Sequence, residues 1–310
     1  MNTLREAIDD YLLLRRDLGF KLIQTEHWLH DFAAFMEDQQ ASLITVERAL
    51  QWALRPSDAQ PPCWAKRLSA VRLFARYRSM TDRQTEVPPV GLLPNHPRRA
   101  KPYLYTEEDI DALISAAGAL PPPDGLRGRT YACLIGLLSV TGLRIGEALR
   151  LKRNDVDLEN HLLTIHGTKF NKSRLVPLHS STVSALSAYA GQRDGCLGQA
   201  KPDHFFVSAH GTPLTGSVVR RTFRSLCRQV GLQGCDGCDK PRLHHFRHRF
   251  ATETLLRWYR SSEDIERHLP VLSTFLGHTC IADTYWYLSA RPELMREAVQ
   301  RLERRWERSS

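Results

Sequence analysis

No stretch of this 310-residue chain is an uninterrupted apolar run of the roughly 20 residues needed to cross a bilayer. Its opening, MNTLREAIDDYLLLRR, also lacks the apolar core of a signal peptide, so a cytoplasmic protein without a membrane partner is expected. Cysteine is scarce, seven residues scattered over the chain, and an odd number fits reduced thiols better than a disulfide framework. Cys235 and Cys238 stand at metal-ligand spacing, but no second pair matches them, and completing four ligands would have to recruit Cys227 and His210. No metal site is therefore expected. Acidic residues fall short of basic ones, 34 against 43, for a formal net charge of +9. That excess favours a polyanionic partner, most simply nucleic acid, although ribosomal and membrane-surface proteins share the balance.

What is present is enough apolar material, 42% of residues, to build cores for two domains. Residues 1–97 read as a helical bundle. Leu4, Ile8, Tyr11 or Leu12, and Arg15 recur at helical intervals before Gly19, and Trp28, Leu29, Phe32 and Phe35 stripe a second helix. Thr45 caps a third helix, and a fourth runs from about Trp64 with Leu68, Val71 and Phe74 or Ala75 on one side. Its basic residues, Lys66, Arg67, Arg72 and Arg76, are candidates for phosphate contacts or for a plain solvated face. The proline-rich, basic segment from Val87 to Pro102 is linker chemistry.

From residue 98 a second domain is expected. Thr106 and Asp109 form a capping pattern, and the apolar run Tyr131 to Val140 predicts a buried helix delivering Arg144. Two apolar segments, Leu162 to His166 and Ser173 to Leu178, flank a polar loop with Gly167 and Asn171 in a hairpin pattern. In the helix from Thr215 or Ser217, Val218, Thr222 or Phe223, Leu226 and Val230 are candidates to face the core. A C-terminal helix is expected over 292–306. The fold class is thus mainly α with a small antiparallel β-sheet.

The chemistry concentrates between His244 and Tyr287, which holds His244, Arg247, His278, Tyr285 and Tyr287 but neither a run of carboxylates nor a metal-ligand cluster. Guanidinium forks suit the non-bridging oxygens of a phosphodiester under attack. Tyrosine offers a nucleophilic oxygen, but with an ordinary pKa of about 10 it needs a neighbouring base or cationic surroundings. His244 or His278 can serve, and no cofactor is required.

The segments His244-His245-Phe246-Arg247-His248, Leu276-Gly277-His278, a tyrosine nine positions later, and upstream Thr141-Gly142-Leu143-Arg144-Ile145-Gly146-Glu147 resemble the tyrosine recombinase (phage integrase) family. The resemblance implies a two-domain clamp on double-stranded DNA, with a core-binding domain over 1–97 and a catalytic domain over 98–310. It implies strand exchange through a 3′-phosphotyrosyl link made by Tyr287, with Arg144 and Arg247 on the phosphate and His244 and His278 assisting. Lys169 would protonate the departing 5′ oxygen, with Lys172 as alternative or as a DNA contact. Tyr285 competes with Tyr287, though the spacing from His278 favours Tyr287. A homotetramer on paired sites, and companion recombinases from one mobile element, are further implications. A type IB topoisomerase and a non-catalytic DNA-binding relative stay open as alternatives.

Overall fold

A computed structural model describes residues 3–95, 101–123, 125–166, 173–198, 202–234, 240–261, 264–289 and 292–307. The chain divides into two compact units, Met1–Arg99 and Ala100–Ser310. Among the described residues no helix is long and apolar enough to cross a membrane.

The first unit is four helices: α1 (Leu4–Asp17), α2 (Ile23–Asp38), α3 (Val46–Leu54) and α4 (Pro61–Arg78). Thr3 and Glu6 close a capping box on α1, and Thr45 accepts from the Arg48 backbone N–H at the start of α3. Ile8, Leu12, Leu29, Phe32, Met36, Trp52, Leu68, Val71 and Phe74 make the core. Both Tyr11 and Leu12 point inward, so the helical stripe of α1 is broader than a single line of contacts.

Arg67 corrects the reading of α4 as a row of outward cations. Its side chain is only 9% exposed, donates to Asp31 Oδ2 (3.1 Å) and the Trp52 carbonyl (3.2 Å), and lies 3.9 Å from the Trp52 ring centroid. Its charge is neutralised inside the bundle, where helical phase places it beside Leu68 and Val71. Arg72 spends Nε and Nη2 on the Pro88 and Pro89 carbonyls, fastening the chain that leaves α4. Lys66 and Arg76 are exposed.

The second unit is built from nine described helices: α5 (Glu107–Gly118), α6 (Leu126–Thr141), α7 (Ile145–Arg150), α8 (Ser180–Leu197), α9 (Gly216–Gln229), α10 (His244–Arg260), α11 (Ile265–Leu276), α12 (Ala282–Tyr285) and α13 (Pro292–Glu307). A 3-10 turn, Trp286–Ser289, continues α12. The sheet is antiparallel in the order β1 (Val156–Asp157), β2 (Leu162–Ile165), β3 (Arg174–Pro177), with Leu163 opposite Val176 and Ile165 opposite Arg174. The short first strand is an addition to the expected hairpin; two residues are too few for an alternation to register in sequence. In α9 the buried line is Val219, Thr222, Phe223, Leu226 and Cys227, while Val218 is 38% exposed, one position off the expected phase.

Two apolar clusters fill this unit, and α10 joins them. Phe246, near its start, belongs to the larger cluster with Leu134, Leu138, Leu163, Val176 and Phe223. Ala251 and Leu255 belong to the smaller one with Leu269, Leu272, Leu276, Tyr287 and Leu294. Arg247 sits at the seam. Tyr105 secures the start of α10 by stacking on Phe246 (4.3 Å between centroids) and donating its hydroxyl to the Arg242 carbonyl.

Arg67→Ala should lower the stability of the first unit by about 2 kcal/mol, since it removes a buried side chain, opens space beneath Trp52 and takes one donor from the Trp52 carbonyl. Chemical denaturation followed by tryptophan fluorescence checks this; a stability unchanged from wild type would return Arg67 to the surface.

Candidate functional site

Two turns made by glycine form the seats of the site. Helix α6 ends at Gly142 in the left-handed conformation (φ +60°), and a Cβ there would come within 2.8 Å of the Phe250 ring. Helix α11 ends likewise at Gly277 (φ +68°). Both turns expose main-chain carbonyls, and the arginines use them. Arg247, 1% exposed, donates from Nη1 to Gly142 O (3.0 Å) and from Nη2 to Leu276 O (2.7 Å). Arg144, at the N-cap position of α7 and with 39% of its side chain exposed, donates from Nη1 and Nη2 to Gly277 O, each 3.2 Å. Carbonyl dipoles orient the two guanidiniums without cancelling their charge.

Glu147 supplies the counter-charge. Its Oε1 accepts from Arg144 Nη1 (2.9 Å) and its Oε2 from the Arg144 backbone N–H (3.0 Å), a link that the three-residue spacing on the first turn of α7 permits. A second fork, Arg174 from β3, grips the same carboxylate with Nη1 to Oε1 at 3.2 Å and Nη2 to Oε2 at 2.9 Å. Burial alone would push the Glu147 carboxyl up, but the guanidiniums of Arg174 and Arg144 more than offset it and hold the pKa at about 2. Burial draws Arg247 down to about 10, opposed by Tyr287, so it stays cationic near neutrality.

Tyr287 is 3% exposed, its ring stacked on His278 (5.9 Å, 16°) and 5.4 Å from His248, with its phenol against the Arg247 guanidinium. The His278 Nδ1 is 2.7 Å from Thr284 Oγ1, which fixes the imidazole plane. Burial, followed by Arg247 and Arg144, depresses the His278 pKa to about 4. His244 keeps an exposed edge, yet the surrounding protein and the charges of Arg247 and Arg144 draw its pKa down too. Both rings are thereby neutral near pH 7 and able to accept a proton. His248 lies within 4.8 Å of the His244 ring and 4.7 Å of Trp286, with its pKa at about 3 through burial and the neighbouring His244 and His245.

The structure therefore gathers Arg144, Arg247, His244, His278 and Tyr287 around one seam, while Tyr285, 50% exposed, stands apart from the stack. Lys169, Lys172, Cys235 and Cys238 lie outside the described residues. Lys66, Arg72 and Arg76 belong to the first unit. Sequence reasoning passed over Arg174, Thr284 and the packing role of His248. The signal for Arg174 is strand parity: it shares the inward face of β3 with Val176, which is fully buried, whereas Leu175 is 59% exposed.

A family model described as the phage integrase family matches residues 104–293. The chain is 54% identical over 311 aligned positions to y4rB of Sinorhizobium fredii, assigned as an integrase/recombinase, with 99% of each chain covered. It is 30% identical over 285 positions to the tyrosine recombinase XerD of Caulobacter vibrioides, covering 91% of this chain and 85% of the other. Among solved structures, the Tn1549 transposon integrase in complex with transposon right end DNA aligns with a TM-score of 0.68 at 16% identity, over 98% of this chain and 99% of that one, a likeness of fold.

The depressed histidines set a pH dependence. A folded-state pKa below the ordinary 6.5 means that the unfolded chain binds protons first as pH falls. Stability from this source is complete above about pH 6.5 and is lost as pH drops toward 4, where His278 titrates. Histidine-selective NMR of the DNA-free protein should find the His278 midpoint near 4; a midpoint at the ordinary value would remove the cationic crowding from the site.

Proposed function

This chain belongs to the phage integrase family of tyrosine recombinases and is a site-specific DNA recombinase, and from that premise we propose that its strand transfer runs through Tyr287. The Tyr287 oxygen attacks the scissile phosphorus, the P–O5′ bond breaks, and a 3′-phosphotyrosyl link and a free 5′-hydroxyl result. His278 or His244, neutral in this setting, takes the phenolic proton. Arg144 and Arg247 carry the charge that develops on the non-bridging oxygens, preoriented by the carbonyls of two glycine turns. Lys169 is the proposed donor of the proton to the 5′ oxygen, with Lys172 as the alternative on the same hairpin loop. The phosphotyrosyl bond conserves the energy of the phosphodiester, so resealing consumes no nucleotide.

The observation that carries this reading is the Tyr287 ring held between His278 and the Arg247 guanidinium. Tyr287 and Arg247 are 3% and 1% exposed, so engagement of a phosphate requires the 3-10 segment at Trp286–Ser289 to turn outward. In this reading the first unit binds duplex DNA through exposed cations of α4, chiefly Lys66 and Arg76, with the remaining donors of Arg72. Exchange between two duplexes breaks four strands, and one tyrosine per strand supports a homotetramer on paired sites. Movement of an integrating element, by integration, excision or transposition, is the biological setting proposed.

Nicked duplexes from the ends of the surrounding element, incubated with protein in EDTA, should yield an SDS-resistant adduct with wild type and with Tyr285→Phe, and none with Tyr287→Phe, which still binds. An adduct that persists in Tyr287→Phe and disappears in Tyr285→Phe would move the nucleophile to Tyr285. Separately, Arg76→Ala should weaken DNA binding on all sequences alike and reduce the slope of log affinity against log salt by about 0.9, the signature of one lost phosphate contact. An unchanged slope would return Arg76 to the solvated face.

A further inference from the structure

Arg174 is a buried cation at the site that the proposed reaction leaves without a task. Its side chain is 8% exposed, and each of its three guanidinium nitrogens has a hydrogen-bond partner. Nη1 and Nη2 hold both oxygens of Glu147. Nε donates to the Phe275 carbonyl at 2.8 Å. The head group also packs directly beneath Gly277, where a Cβ would fall 2.6 Å from Nη1 and 2.8 Å from Cζ.

These contacts close a ring through the site. Arg174 fixes the main chain at Phe275; the next two carbonyls of the same strip, Leu276 and Gly277, orient Arg247 and Arg144; Arg144 and Arg174 then meet on Glu147. A burial cost opposes each piece alone. Glu147 unpaired would be a buried charge, and Arg174 unpaired would be another, so the pair persists only together. Strand β3 begins at Arg174, two positions after Lys172 in the sequence.

We propose that Arg174 is a positioning residue for strand cleavage: it grips the Glu147 carboxylate and holds the Phe275–Gly277 strip in place, and through them aligns Arg144 and Arg247 on the scissile phosphate. It does not itself touch the phosphate. This rests on the recombinase reading above, and the tests separate the two.

The first test needs no DNA. A double-mutant cycle with Glu147→Gln, Arg174→Met and the pair, followed by denaturation at about pH 7, should give strongly non-additive losses. With Arg174 gone, Arg144 on α7, the more distant Arg247 on α10 and His278 in the turn after α11 are the ionisable groups left near Glu147, and its pKa rises. Wild type holds the stability from ionised Glu147 above about pH 4.5 and loses it as pH falls toward about 2, whereas in Arg174→Met the higher folded-state pKa leaves less of that stability at neutral pH to begin with. The stability gap between them should therefore widen as pH rises from about 3 to about 7. Additive losses and a pH-independent gap would overturn the contact.

The second test is single-turnover cleavage of a nicked site. Arg174→Met should cut about 10²-fold more slowly, with DNA affinity nearly unchanged, because misplaced arginines cost rate rather than binding. The deficit should grow as pH is lowered, because Glu147 of the variant takes up a proton at a higher pH than Glu147 of the wild type. Arg174→Lys should recover part of the rate and guards against a Met variant that fails to fold. Coupling in the DNA-free cycle with cleavage at the wild-type rate would overturn the positioning role alone. A wild type that forms no adduct on any site would overturn the proposed reaction, and with it the role of Arg174, leaving the DNA-free cycle to decide the contact.

Discussion

One buried carboxylate makes the second unit possible as an arranged site. Arg144, Arg174 and Arg247 converge on a region that is largely out of water, and three like charges there repel one another at a reduced dielectric. Glu147 offsets one charge and, by accepting from two forks and a backbone N–H, converts repulsion into a fixed geometry. Two positive charges remain uncompensated. That residue of charge is what a phosphodiester would neutralise in the proposed reaction, so the site gains its counter-ion only when DNA is present.

The other seats are carbonyls rather than carboxylates, and the distinction matters. Gly142, Leu276 and Gly277 present dipoles that direct the guanidiniums while leaving their charge intact. More acidic side chains in those places would have satisfied the same donors and cancelled the attraction for an anion. Glycine at both turns follows from positive φ, and from the close approach of Phe250 at one and Arg174 at the other. The short sequences TGLR and LGH are thus the local price of bringing main-chain oxygens beneath two arginines.

Much of this was legible in the sequence because the features are local. Helical periodicity found α1, α2 and α4, capping residues marked α3 and α5, and the two apolar segments around the polar loop in residues 161–178 marked the two longer strands. The arginine, histidine and tyrosine positions were readable because each sits in a short motif at a helix end. What was not legible depends on contacts distant along the chain. Arg67 and Arg76 look alike in α4, and only the approach of Trp52 and Asp31 decides which one is buried. Arg174 carries an inward parity in β3 that a strand of four residues barely announces, and its partners are 27 and 101 positions away. Val218 and Val219 differ by one step of helical phase, which packing against Phe223 and Phe246 resolves.

The electrostatics of the arginines adds to burial in setting the histidines. Burial first, and then the cations that would stabilise an attacked phosphate, keep His278 and His244 unprotonated, so the rings are free to accept a proton but are weak bases that give it back readily. A bound phosphate brings negative charge against Arg144 and Arg247 and so weakens the force that depresses both imidazoles. In the proposed reaction the rings then become easier to protonate at the stage when the tyrosine proton must be received. In the resealing direction the same proton would be returned as the phosphate leaves Tyr287. Protonation of the histidines and occupancy of the arginines are thus linked, and the covered stack of unprotonated imidazoles around Tyr287 is the resting end of that linkage.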